Sequence, residues 1–313
     1  MPSVKVQDIA YARLQAPDLD RAEEFLSDFG LFRVERTATA LYVRGTDPAP
    51  FLEVVHLGEP CFLGSAWYVE SRDDLEMAAK RPGASGIEHV DEPGGGERVR
   101  CKDPLGYTVE LIHGRRGLDP ITVTPVALNL AWDGLARKEL QRFPKRPSRV
   151  KRIAHVVLTT PRVIDTVTWY RETLGLVRSE DIYSGQASNI IGSFNRCDRG
   201  EDYVDHHVFF CRTGDRNGLN HISFEVQDID DLMLGHDQLT AKGYKHMWGV
   251  GRHYLGSQIF DYWCDPWGRV HEHWTDSDRL NVHGGEGLLS REQAYKSQWG
   301  PAAPKEFHDY ASP

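Results

Sequence analysis

An internal duplication constrains this chain more than any other feature, because a fold that repeats puts equivalent residues in equivalent surroundings. The run Ile9, Ala10, Tyr11, Ala12, Arg13, Leu14 returns as Ile153, Ala154, His155, Val156, Val157, Leu158. Each copy leads into a segment with apolar residues at helical spacing, residues 19–31 and 163–176, and each segment stops at a glycine, Gly30 or Gly175, as a helix C-terminus does. At the far end of each half, residues 103–110 (DPLGYTVE) align without a gap with residues 265–272 (DPWGRVHE). Asp-Pro-x-Gly is turn chemistry: proline presets φ, and glycine takes the positive φ between two strands. A strand feeding a helix also recurs, in residues 65–80 and 221–243, where Val69 falls on Val226 and Asp73, Asp74, Leu75 on Asp230, Asp231, Leu232.

The order strand, helix, then about three strands therefore occurs four times, at about 8–57, 64–113, 152–211 and 219–275. This predicts an α+β protein of two domains, each made of two βαβββ modules forming a curved open sheet or half-barrel. A length of 313 residues suits two domains of ordinary size. Residues 114–150 run into a basic, proline-containing stretch, 137–152, that joins the halves. The expected division is 1–136 for the first pair of modules, 137–151 for the linker, 152–275 for the second pair and 276–313 for a C-terminal extension without a counterpart. The turn-rich 298–304 is expected to pack on the domain or on a neighbouring subunit.

A net charge of −9 and a pI near 5.9 argue against nucleic acid or an anionic membrane as partner, since both need a basic footprint. No stretch approaches the ~18 apolar residues of a membrane span, and the N-terminus lacks a basic segment followed by an apolar run. Cys61, Cys101, Cys197, Cys211 and Cys264 form no CxxC pair and read as reduced thiols, which with the rest implies a cytoplasmic protein.

Histidine is distributed unevenly. Of 14, only His56, His89 and His113 precede residue 151. The duplication turns that skew into a residue-by-residue comparison: Tyr11 corresponds to His155, Gly64 to His221, and Glu110 to Glu272. Where the second half has His, His and Glu, the first has Tyr, Gly and Glu. Two imidazoles and one carboxylate are the donors of a non-haem Fe(II) facial triad, which leaves coordination positions open. Singly each residue has a structural reading: a core histidine for His155, a solvent-face histidine for His221, a turn-supporting carboxylate for Glu272. Jointly, with the first half as an internal control, they point to a metal. His271 and His273 alternate away from Glu272 and read as non-ligands. His236, His246, His283 and His308 read as surface residues, and Trp248, Trp263, Trp267, Trp274 and Tyr254 as core.

The second half resembles the type I extradiol ring-cleaving dioxygenases of the vicinal oxygen chelate superfamily, the catechol 2,3-dioxygenases and 2,3-dihydroxybiphenyl dioxygenases. The residues that carry the resemblance are Gly251-Arg252-His253, then Tyr262, then Asp265-Pro266-Trp267-Gly268, then Glu272. One position departs from the family signature: Asp261 stands before the tyrosine in place of an apolar residue. The resemblance implies the vicinal oxygen chelate (glyoxalase-like) fold, with the first pair of modules non-catalytic and the second catalytic. It implies His155, His221 and Glu272 as ligands of Fe(II), with Mn(II) as runner-up, and a catecholic substrate cleaved with O2 beside its diol. His253 and Tyr262 then lie beside the substrate hydroxyls. A further histidine precedes a Val-x-Phe strand; His206 fits by spacing as the group that handles the hydroxyl proton, with His207 as the alternative. A homo-oligomer is implied as well. The competing readings are a glyoxalase-like isomerase and a metal-free binding protein of the same superfamily.

Overall fold

The computed structural model describes residues 4–124, 128–129, 137–285, 287–308 and 310–312, so the expected boundary between 136 and 137 adjoins residues outside the described set. Residues 6–113 form an eight-stranded sheet, and a ten-stranded sheet takes its strands from residues 150–299. In each, two βαβββ units meet along their first strands. Val6–Ala16 runs antiparallel to Cys61–Val69, as Val150–Thr160 does to Gly218–Val226. Within each unit the last strand returns parallel to the first, giving Val6–Ala16 beside Glu53–Leu57 and Gly218–Val226 beside Val270–Thr275. The α+β architecture of four βαβββ units is the one the repeat predicts.

Local chemistry accounts for the repeat. The helix Leu19–Phe29 starts at Asp18, whose carboxylate accepts from the amides of Asp20 and Arg21, and it ends at Gly30 with φ +109°. Its counterpart Val163–Leu174 ends at Gly175 with φ +69°. In the two Asp-Pro-x-Gly turns, Asp103 Oδ1 accepts from the amides of Leu105 and Tyr107, and Asp265 Oδ1 from those of Trp267 and Arg269. Both turns deliver a glutamate, Glu110 or Glu272, to the same register on the strand that follows.

The extension 276–313 adds strands to both edges of the second sheet. Gly287–Ser290 pairs with Val177–Tyr183, and Ser297–Trp299 pairs with His246–His253. One apolar core runs through both halves. Phe29 stacks on His273 with centroids 3.7 Å apart, and His271 Nε2 reaches Glu53 Oε2 at 3.1 Å. The two histidines that alternate away from Glu272 are thus buried between the halves. Among the described residues, no helix is long and apolar enough to cross a membrane.

Candidate metal centre

Strand register brings the three proposed ligands together. Ser223 pairs with His155 on one side and with Glu272 on the other, and His221 lies two residues before it on the same face of its strand. His155 Nε2 lies 3.0 Å from Glu272 Oε2; His221 Nε2 lies 3.3 Å from His155 Nε2 and 3.5 Å from that oxygen. All three side chains are buried.

The donor set fits a cation. Glu272 is fully buried, yet neither of its oxygens has a hydrogen-bond partner of acceptable geometry. A buried carboxylate in that condition is costly unless positive charge sits beside it. Burial holds His221 down at about 3, so its imidazole is neutral at pH 7. Burial alone would raise the Glu272 carboxyl, but the imidazoles of His155, His253 and His221 outweigh it and keep the group well below the usual range. Neutral imidazoles and an ionised carboxylate are the protonation states a metal requires. Asn220 Oδ1 accepts from His221 Nδ1 at 2.7 Å, which leaves the Nε2 lone pair facing His155 and Glu272.

In the first half the same scaffold carries a different set of side chains at the equivalent positions. Its register matches: Ala66, which takes the place of Ser223, pairs with Tyr11 and Glu110. Here Tyr11 donates to Glu110 Oε2 at 2.5 Å, and Arg13 and Arg98 reach Glu110 at 3.1 and 3.3 Å. Two guanidinium groups neutralise the carboxylate. Gly64, the counterpart of His221, has φ +146°, and a Cβ there would come 1.8 Å from the carbonyl oxygen of Thr108, so no side chain fits.

A pocket opens over His155 and His221. His253 and Tyr262 line it, with His253 Nε2 hydrogen-bonded to Tyr262 Oη at 2.8 Å. Burial pushes the Tyr262 phenol well above its ordinary value and lowers His253, so both are neutral. Of His206 and its alternative His207, the second is the one that lines the pocket. His207 faces the pocket, its ring centroid 4.1 Å from that of His155, whereas His206 points the other way and binds Glu180 through Nε2. The two rings still touch, Nδ1 to Nδ1, at 3.0 Å. The two residues lie between the strands Val204–Asp205 and Phe209–Thr213, where spacing does not say which side each ring takes. Burial also lowers His207 well below its ordinary value.

Sequence reasoning missed several lining residues. Trp248 is buried in a hydrophobic cluster, as read, and also lines the pocket, where its Nε1 donates to the carbonyl of Pro301 at 2.9 Å. The extension closes the pocket with Tyr295, Lys296 and Phe307, the last stacked on His221. Arg212 is buried at the pocket wall, its Nε has no hydrogen-bond partner, and no carboxylate pairs with it among the described residues. Its guanidinium lies 5.2 Å from the centre of the Tyr295 ring. Its charge sits on one strand and its surroundings on distant segments, so no sequence pattern marked it.

A duplicated βαβββ scaffold with a His, His, Glu cluster in one half defines a protein of the vicinal oxygen chelate class. Residues 152–270 match the family model described as Glyoxalase/Bleomycin resistance protein/Dioxygenase superfamily. The chain is 31% identical to Metapyrocatechase 2 of Cupriavidus necator, over 98% of this chain and 92% of that protein. It is 23% identical to the Iron-dependent extradiol dioxygenase of Rhodococcus jostii, over 95% and 97% of the respective chains. The fold also matches the Mn(II)-bound glyoxalase from Novosphingobium aromaticivorans with a TM-score of 0.79 at 23% identity, covering 99% of this chain and 97% of that one. The chain belongs to the type I extradiol dioxygenases of the vicinal oxygen chelate superfamily.

Proposed function

We propose that the chain cleaves the ring of a catechol-type diol with O2, beside the diol and not between its oxygens, at one Fe(II) held by His155, His221 and Glu272. The observation that carries this reading is the buried carboxylate of Glu272, its oxygens without a hydrogen bond of acceptable geometry, beside His155 and the neutral imidazole of His221, set against a first-half counterpart filled by Arg13 and Arg98. Bound there, the ion supplies Lewis-acid binding of the diol and the redox chemistry that makes reaction with O2 feasible. We assign iron in line with the iron-dependent Rhodococcus relative; Mn(II) is the runner-up, since the same donors suit it. In the division of labour we favour, 1–136 is scaffold, 137–151 links, and 152–275 carries the chemistry.

The chain's own groups bind and orient the diol and move its protons. Tyr262 stays protonated and hydrogen-bonds the diol oxygen that has lost its proton, with His253 fixing the phenol's direction. His207 takes the role assigned by spacing to His206: a neutral imidazole on the pocket wall that accepts the second hydroxyl proton and returns one as the ring opens. Trp248, with Tyr295 and Phe307 of the extension, excludes water from that wall. Arg212, a buried cation with no carboxylate partner among the described residues, favours a diol that carries an anionic substituent. Five free cysteines support a cytoplasmic setting.

The test is anaerobic reconstitution with Fe(II) or Mn(II), then a panel of substituted catechols followed by O2 uptake and by the yellow ring-fission product. Turnover with one metal and not the other assigns the ion. No colour and no O2 uptake across the panel would refute the reading in favour of an isomerase or a binding protein.

A further inference from the structure

Asp261 is the one position at which this chain departs from the family signature, and ring cleavage leaves it unexplained. It stands beside Tyr262 on the strand Ile259–Cys264, so the two side chains project to opposite faces of the sheet, Tyr262 into the pocket and Asp261 behind it. The Asp261 side chain is fully buried. Trp263 Nε1 donates to its Oδ2 at 2.6 Å; His236 Nδ1 lies 3.1 Å from Oδ2, and His246 Nε2 lies 2.7 Å from Oδ1. Among the described residues no lysine or arginine pairs with it; its ion-pair partners are the two histidines. A carboxylate removed from water needs positive charge beside it, and histidine supplies that charge only by holding a proton. Both histidines keep the surface position expected of them, with side chains 25% and 32% exposed, while each turns a ring nitrogen toward Asp261.

We propose that His236, His246 and Asp261 form a second metal site, separate from the His155 cluster, that takes a borderline divalent cation of the zinc type with water completing its coordination. The donor atoms all lie within 4.8 Å of one another. Tetrahedral zinc, with bonds of ~2.0–2.1 Å to nitrogen and oxygen, separates its donors by roughly 3.3 Å, so modest side-chain movement admits the ion. The two rings stand nearly perpendicular, at 87°, with centroids 5.1 Å apart, and both rest against Trp263. Their side chains are 25% and 32% exposed, which gives the ion a route in and room for water. Gly249 pairs with Asp261 across the strands; a Cβ there would stand 2.7 Å from Oδ1, so glycine keeps the carboxylate free to turn. His236 comes from the helix Ile229–Ala241 and His246 from the strand His246–His253. The ion would tie that helix to the sheet directly behind Tyr262, and this site stands whether or not the ring-cleavage reading holds.

The test uses the full-length protein, loaded anaerobically with Fe(II) and then dialysed against Zn(II), with both metals counted per chain. The wild type is expected to keep its iron and to take one zinc in addition. Asp261→Asn and the double variant His236→Ala/His246→Ala are expected to lose that zinc and to keep the iron, whose retention shows that each variant has folded. Should the double variant not retain iron, His246→Gln is read by the same criteria. Three results overturn the proposal: no zinc beyond the iron, zinc that only displaces iron, or variants that take up zinc as the wild type does. Co(II) in place of zinc gives an independent readout, visible absorption from a tetrahedral site in the wild type that the double variant lacks.

Discussion

Replacement of Asn220 tests how the metal centre is oriented, because this side chain faces two ways. Its Oδ1 accepts from His221 Nδ1 at 2.7 Å, while its Nδ2 donates to the carbonyl of Tyr310 in the extension at 3.0 Å. Asn220→Ala removes both contacts. Losing the group that fixes a liganding imidazole costs about 10–100-fold in metal affinity, or roughly 1.4–2.7 kcal/mol. Asn220→Asp keeps an acceptor for His221 but turns a carboxylate oxygen toward the Tyr310 carbonyl, so it disturbs the extension and spares the imidazole. Competition against a colorimetric Fe(II) chelator under anaerobic conditions measures the first effect, and limited proteolysis of residues 287–312 measures the second. The alanine variant is expected to release iron more readily and to be cut faster; the aspartate variant is expected only to be cut faster. An alanine variant that holds iron as tightly as the wild type would refute the claim that Asn220 sets the His221 tautomer.

Three further outcomes follow from the same geometry. His207→Gln is expected to lower kcat by about a hundredfold or more with iron content unchanged, and His206→Gln by less than about tenfold; the reverse order would restore the assignment made from spacing. Arg212→Met is expected to cut kcat/KM for carboxylate-bearing catechols about 10–100-fold, as loss of a charged hydrogen bond worth ~1.5–3 kcal/mol would, and to change that for unsubstituted catechol by less than about threefold. Equal losses on both substrates would remove the anion preference. The last concerns pH. Burial lowers His273 to about 4, against an ordinary value near 6.5, so its contribution to stability is complete above pH 6.5 and is lost as pH falls toward 4. Each pH unit in that window removes about 1.4 kcal/mol. In urea unfolding of the metal-free protein, His273→Gln is expected to shrink the stability difference between pH 7 and pH 5 by about 2 kcal/mol; an unchanged difference would show that His273 is not held neutral.

The duplication made much of the fold legible before any coordinates. Glycine at a helix end, Asp-Pro-x-Gly at a turn and alternation along a strand are local effects, and their recurrence in fixed order specified four βαβββ units. It also supplied the contrast of Tyr11 with His155 and Gly64 with His221. The register bears out that correspondence, and Gly64 proves unable to carry a side chain at all. His271 and His273 were rightly set apart from Glu272, although only the packed structure shows what they do, which is to fill the seam against Phe29 and Glu53.

What the sequence determined by itself was the arrangement that depends on near neighbours: element order, the repeat, and which strand positions share a face. What only the tertiary structure decided was every contact made between distant segments. Which of His206 and His207 lines the pocket, the Asn220 bond that orients His221, the closing of the pocket by the extension and the lack of a carboxylate beside Arg212 among the described residues all belong to this second kind. The meeting of His236 and His246 with Asp261 does too. The physical reason is that a side chain's charge state and partners are set by what surrounds it in space. Burial and electrostatics act over a few ångströms, and those ångströms are crossed by residues far apart in the chain.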